Sequence, residues 1–596
     1  MTHGQIRDKF LRFFESRGHK IVPSSSLLPT DPSVLFTTAG MQQFKPYFLG
    51  TSVSMKDFNS KNVTTLQKCF RTSDIDEVGD SSHGTFFEML GNFSFGGYFK
   101  KEAIALSFEF ITSHEGLGLD PQKLYITAFK GEEKVTRDDE AIGFWQEQFK
   151  TVGIDAKIGE RIFLYGREKN WWEAGVGPAG PDAEMFYDLG LEHNPKFGAT
   201  CHPNCDCGKF VEIGNDVFMQ YQKTPDGEYL PLQQKAIDNG RGFERLVMVM
   251  EGKTNMYDTS LFEPILSLLP TEIETKTKRI IGDHMRAVSF LISDGVRPSN
   301  KEQGYVLRKL MRRVITYKFK MDMGWSMFGN IFDTIVSNYG AFYPELNKEI
   351  IEDEFTNEEN KFLVTLKRGL NELEKNDEIN ATNAFRLYES FGLPYEIIKE
   401  FGGVKANSLT RESFDEEFKK HQEKSRAGAE KKFGGHGLLL DTGELKAGNE
   451  EELKKATRLH TATHLLHASL RKILGTEVHQ AGSDITPERL RFDFTFPRKM
   501  TPEELRQVEE LVNEAVQKDY KVTKEEMAYE DAIKSGAMAF FKLKYPPRVN
   551  VYSVGDFSKE LCGGPHVSHT AEIGKFKITK EEAVSAGVRR IRARVE

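Results

Sequence analysis

His460 and His464 stand four residues apart in HTATHLLH. On a helix that spacing sets both imidazoles on one face, as two ligands of a single ion must be. About a hundred residues on, CGGPH supplies Cys562 and His566 across a tight Gly-Gly turn. Three imidazoles and one thiolate form a borderline-soft donor set that suits tetrahedral Zn²⁺. The competing explanation is two helix histidines packed in a core, with an unrelated cysteine beside the glycines. His467 follows on roughly the same face, where packing or support of a ligand is its expected role. A second cluster, CHPNCDC, gathers Cys201, His202, Cys205 and Cys207, with His193 upstream. A loop rich in Pro, Asn and Asp offers little apolar interior for thiols, so a small zinc knuckle competes there with free loop cysteines.

A different chemistry is written nearer the N-terminus. Arg71, in CFRTSDIDEVG, carries a guanidinium suited to bidentate phosphate contact. GRGFERL sets Gly240, Gly242 and Arg245 close together, so backbone can approach a nucleotide while the arginine lies over its base. Asp238, two residues earlier, can pair with an amine. Each of these residues taken singly also fits an ordinary surface ion pair or a chance spacing.

Such groups need elements to position them. Phe10, Leu11, Phe13 and Phe14 fall at helical spacing before Gly18, which predicts an opening amphipathic helix. VLFTTAG, KLYITAF and RIFLYG read as short β-rich runs. Helices mixed with non-repeating strands predict an α+β multidomain chain. From about residue 283 to 373 the pattern is helical and basic, and GYVLRKLMRRVITYK sets Arg308, Arg312 and Arg313 where an RNA-facing surface, or merely a solvated helix face, is expected. The Lys-, Glu- and Gly-rich text of 411–455 reads as a linker with one short strand or hairpin. RLHTATHLLHASLRKIL is a strong helix, and strands mix with helices beyond it. These shifts divide the chain at 1–250, 251–410, 411–455 and 456–596.

Composition bounds the function. The 596 residues can bury several cores, and 29% charged with 39% hydrophobic residues excludes collagenous and disordered classes. No apolar run is long enough to span a bilayer, and MTHGQIRDKFLRFFESRGHK lacks a signal core. Five cysteines are too few for a disulfide scaffold and fit a reducing cytoplasm. With 81 Lys and Arg against 89 Asp and Glu, the net charge of −8 argues against indiscriminate nucleic-acid coating but allows a local basic face.

Several long blocks, in order, resemble the alanyl-tRNA synthetases of class II: SSSLLPTDPSVLFTTAGMQQFKPYF, FFEMLGNFSFGGYFKKEAI, NDVFMQYQ, DNGRGFERL, RPSNKEQGYVLRKLMRRV, HTATHLLHASLRKILG and GDFSKELCGGPHVSHTAEIGKF. The resemblance implies an antiparallel sheet with flanking helices for aminoacylation, a helical tRNA-binding domain and an α+β zinc-containing editing domain. It further implies ATP-dependent formation of alanyl-adenylate with Mg²⁺, transfer to tRNA(Ala), and hydrolysis of mischarged seryl- and glycyl-tRNA. By motif, Arg71 resembles the α-phosphate arginine, Arg245 the arginine under the adenine, and Asp238 the carboxylate for the alanine ammonium. Met89, Trp172, Asn215 and Val217 look like the amino-acid pocket. Asn300 and Glu389 look like the pair that reads the acceptor-stem wobble, His460, His464, Cys562 and His566 the editing zinc ligands, and Gln480 a residue beside the editing substrate.

The sequence also departs from the family pattern. GPCGPC is GPAGPDAE here, and Glu389 stands where Asp is usual. Only GHGLLLDTGELKAG remains of a β-barrel. The text ends at GVRRIRARVE, where relatives continue, so a minimal, monomeric form that reads the acceptor stem is expected. Two rival functions are a free-standing editing hydrolase and an inactive synthetase-like RNA-binding protein. The first would not need Arg71, Asp238 and Arg245, and the second would have lost some of them.

Overall fold

The structure, a computed structural model, describes all residues except 30–33, 174–175, 421–437, 440–445, 448–449, 539–547 and 586–587. The chain forms two compact units, Met1–Glu417 and Phe418–Glu596.

Thr2 opens the first helix, His3–Glu15, with a capping box to Gln5. Its Phe10, Phe13 and Phe14 meet Phe110 of the helix Lys100–Thr112 at 5.2–5.9 Å between ring centroids. These helices lie with a nine-stranded sheet of β1 (Lys20–Ile21), β2 (Asn62–Phe70), β3 (Phe86–Phe95), β4 (Leu124–Phe129), β5 (Ile162–Tyr165), β6 (Trp171–Glu173), β7 (Gly177–Asp188), β8 (Phe210–Lys223) and β9 (Tyr229–Gly242). The order is β1-β2-β3-β9-β8-β7-β4-β5, with β6 paired to β7. Only the β1–β2 and β4–β5 pairs are parallel. KLYITAF and RIFLYG thus supply β4 and β5 as expected. VLFTTAG does not form a strand. Phe36 is buried against Phe70, 4.7 Å between centroids, and Thr37 accepts from the Phe70 amide, so tertiary packing rather than a ladder claims this apolar run.

The rest of the first unit is helical, including Thr275–Ser293, Glu302–Lys320, Lys348–Lys375 and Ala381–Phe391. Phe290 stacks on Phe86 of β3 at 4.0 Å, and the buried Asp283 accepts from both the amide and hydroxyl of Thr85. The helical part is therefore docked on the strand that will form the floor of the pocket.

In the second unit the long helix Glu450–Leu474 buries Leu459, Ala462, Leu465, Leu466 and Leu470, an apolar stripe at helical spacing. It shares that core with the helix Pro502–Gln517 and with a four-stranded sheet, β12-β13-β18-β17 (Gln480–Thr486, Arg489–Thr495, Val588–Val595, Phe576–Ser585). A second sheet joins β14 (Val522–Ala528), β15 (Arg548–Val554) and β16 (Ser558–Leu561). Most of the expected 411–455 linker lies outside the described residues. Its described parts are helical at 411–420 and from 450, and a short antiparallel pair, β10 (Leu438–Leu439) with β11 (Lys446–Ala447), lies between.

Candidate functional site

Strand periodicity assembles the first site. On β9, Asp238, Gly240 and Gly242 alternate onto one face. Opposite them stand Val217 and Asn215 of β8, registered with Asp238 and Gly240, and Met89 of β3, registered with Gly242. Together with Arg71, Trp172 and Arg245 they line one cavity of about 260 Å³. Every residue expected at the ATP and alanine sites is in this wall. A Cβ on Gly240 would come within 2.9 Å of the Met89 sulfur, so glycine keeps this floor open.

The charges are arranged unevenly. Asp238 is buried, and burial alone raises its carboxyl to about 7. No ion pair to it exists among the described residues. Arg71 lies over the Phe87 ring at 4.7 Å, exposed and without an ion pair among the described residues. Arg245 donates to Glu212 at 2.8 Å. Glu244, pushed up to about 7 by burial against the pull of Arg286, pairs with that arginine at 3.0 Å. Arg286 also donates to the Phe86 carbonyl. Glu212, Glu244 and Arg286 are wall residues that the motifs did not single out. Glu212 was findable, three residues before Asn215 on the same strand, whereas Arg286 arrives from a distant helix.

Among the residues expected to face RNA, the structure divides the group. Asn300 is exposed and accepts from Arg308. Arg308 and Arg312 both pair with the buried Glu358, at 3.2 and 2.8 Å, and Arg312 also donates to the Gly392 carbonyl. Glu389 is exposed on the helix that ends at this glycine, and its neighbour Tyr388 lies 6.4 Å from Tyr305. Arg313 does not face outward, contrary to expectation. It is buried, donating to the Ile75 carbonyl at 3.1 Å and lying 3.3 Å from His284, because it falls on the inner face of its helix.

In the second unit His460, His464, Cys562 and His566 bring one ligand atom each within 4.8 Å of one another. The Cys562 sulfur lies 3.4 Å from Nε2 of both His460 and His566. Two of the other ring nitrogens are held from behind, Nδ1 of His460 by the Pro565 carbonyl and of His566 by the Thr461 hydroxyl, each at 3.2 Å, while Nδ1 of His464 lies 3.2 Å from a Glu560 carboxylate oxygen without a hydrogen bond among the described residues. Such backing fixes ring orientation and leaves the inner nitrogens free to ligate. Burial opposes the Cys562 thiolate, yet three imidazoles pull it down to about 2. A Cβ on Gly564 would sit 2.0 Å from the His460 ring, so the loop can approach only as glycine. Glu560 also meets His467 at 3.2 Å, giving that histidine its supporting place. Glu560, two residues before Cys562, is a residue of this cluster that the motifs did not single out. Gln480 opens β12 with its amide donating to Ser483.

The cysteine cluster of the first unit needs one correction. The expected set was Cys201, His202, Cys205 and Cys207, but the structure gathers His193 with the three thiols. A tight turn bonds the Cys205 amide to the His202 carbonyl and leaves the His202 ring 2.8 Å from the Tyr165 hydroxyl.

A mostly antiparallel sheet that sets a buried carboxyl and two arginines around one cavity matches the frame of a class II tRNA synthetase. Residues 5–479 match the family described as tRNA synthetases class II (A), and 549–592 match the threonyl and alanyl tRNA synthetase second additional domain. Within that class the chain belongs to the alanine–tRNA ligase family. It is 43% identical to the alanine–tRNA ligase of Treponema pallidum, covering 99% of this chain and 98% of that one. It is equally close to the Borrelia hermsii protein, at 43% over 100% and 99%. The Thermotoga maritima protein is 38% identical over the whole chain, which spans 80% of its length.

Proposed function

We propose that this chain activates alanine with ATP, transfers it to tRNA(Ala), and clears seryl- and glycyl-tRNA(Ala) at a second, hydrolytic site. The observation that carries the first activity is Asp238: a buried carboxyl with no ion pair among the described residues, in a small cavity that Arg71 and Arg245 also line. Burying such a group is costly unless a ligand pairs with it, and an α-ammonium is the fitting partner. In this reading Asp238 orients the amino acid, while Met89, Trp172 and Val217 enclose the methyl and Asn215 adds a polar contact. Arg71 meets the α-phosphate and Arg245 stacks on adenine. Adenylate formation then needs positioning and charge stabilisation rather than a covalent protein group. Mg²⁺ arrives with the nucleotide phosphates, and Asp74 and Glu212 are wall carboxylates able to complete its shell.

A pocket for one methyl discriminates poorly against glycine or an added hydroxyl, by roughly a hundredfold, so a hydrolytic check is needed. The second unit supplies it, with His460, His464, Cys562 and His566 holding Zn²⁺ and Gln480 beside the substrate. When bound, zinc supplies Lewis acidity and structural closure there. Thr461, Pro565 and Glu560 keep the ligand rings in place. Residues 1–250 are assigned to aminoacylation, 251–410 to tRNA recognition through Asn300, Glu389 and the Arg308 and Arg312 helix, 411–455 to the linker, and 456–596 to editing, in the cytoplasm. Pyrophosphate exchange into ATP tests the reading. It should depend on alanine, whereas exchange equally fast with every small amino acid, or none, would refute it.

A further inference from the structure

We propose that His193, Cys201, Cys205 and Cys207 form a second, purely structural Zn²⁺ site that staples the loop between β7 and β8. The four ligand atoms lie within 4.8 Å of one another. Bonds of about 2.3 Å to sulfur and 2.0–2.1 Å to nitrogen in a tetrahedron place ligand atoms about 3.6–3.8 Å apart. Two of the six separations come near this, 3.6 Å between the sulfurs of Cys201 and Cys207 and 3.9 Å between the Cys205 sulfur and His193 Nδ1. All three cysteines are free thiols. His193 is also prepared: its Nε2 lies 2.9 Å from the Gly198 carbonyl. That bond makes Nε2 the protonated nitrogen and leaves the Nδ1 lone pair facing the thiols.

The loop has a reason to need a staple. Most of residues 189–209 is exposed, and Pro203 and Cys205 are its two buried residues. A loop without a core is ordered cheaply by a metal clip. The clip would close just where the Leu189 amide bonds the Lys209 carbonyl at 2.9 Å, at the base of β8. That strand carries Glu212, Asn215 and Val217 into the pocket. The site is thus a support for the pocket wall, remote from reacting atoms. Three thiolates with one imidazole, a closed shell without an open position, favour zinc over harder ions.

The test is metal content of the whole chain, purified under reducing conditions, in a Cys562→Ala background so that the second-unit site does not contribute. We expect one zinc per chain, lost in Cys201→Ser/Cys207→Ser, kept in His202→Ala, and surrendered to a chelator at least about tenfold more readily in His193→Ala. Cobalt substitution of the Cys562→Ala chain guards against misfolding of the loop variants, since a tetrahedral multi-thiolate site gives intense thiolate-to-cobalt absorption. No metal after zinc loading, a Cys201–Cys207 disulfide in the reduced preparation, or dependence on His202 instead of His193 would overturn the assignment. None of these readouts depends on alanine activation.

Discussion

Asp238 ties the chemistry to a measurable titration. Burial raises its carboxyl from the usual 3.8 to about 7, so between those values the folded, empty chain holds a proton that the unfolded chain has lost. Its contribution to stability therefore falls as pH rises through that window, and Asp216, raised to about 7 by burial, acts in the same direction. An alanine ammonium binds the ionised form. Apparent KM for alanine should rise about tenfold per pH unit below about 7 and be flat above it, in steady-state exchange kinetics. A KM independent of pH from about 5.5 to about 8 would deny Asp238 that role. Glu560 makes a second residue-scale case. Because its carboxylate bonds His467 and lies 3.2 Å from His464, Glu560→Gln should lower zinc affinity of the second unit by about ten- to a hundredfold in chelator competition.

Elements decide which of these side chains meet. Alternation on β9 turns the text DNGRG into a pocket floor of Asp238, Gly240 and Gly242, with Arg241 turned to the opposite side, buried 3.7 Å from Asp216. Gly240→Ala would point a methyl at the Met89 sulfur, which is flexible enough to yield. The fold should survive with little change in Tm, while alanine activation drops about a hundredfold, the scale of a misplacement of about 1 Å. Much of this was legible in the sequence, because strands and motifs are local: the helix at His460 and His464, the strands β4 and β5, and Arg71, Asp238 and Arg245 of the pocket, with Met89, Trp172, Asn215 and Val217 reached only through the family resemblance. What the sequence did not reveal was long-range. Pairing of β3 with β9 joins text some 150 residues apart, and VLFTTAG has strand-like composition yet packs as a loop against Phe70. Adjacent spelling likewise favoured His202 as a ligand, where a turn aims it at Tyr165 and brings His193 instead. Arg313 looked like part of a basic face, but helix phase turns it inward to Ile75.

At the scale of the molecule, the chain forms two compact units, and the net charge of −8 leaves RNA attraction to local surfaces. Separate cores imply separable lesions. Cys562→Ala should abolish zinc binding at the second-unit site and slow deacylation of seryl-tRNA by about two decades or more, while leaving alanine-dependent exchange within about twofold. Parallel loss of both activities would mean that the units are coupled.

In the proposed function, the buried carboxyl of Asp238 in the β3-β9-β8 pocket receives the amino acid. Alanine-dependent ATP–pyrophosphate exchange by Asp238→Asn tests it most directly, with circular dichroism to show that the fold is retained. Loss of one partner of a buried charge pair costs about 3–5 kcal/mol, so exchange should fall by roughly two to four decades. A folded Asp238→Asn chain that exchanges at the parent rate would deny Asp238 the amino-acid ammonium.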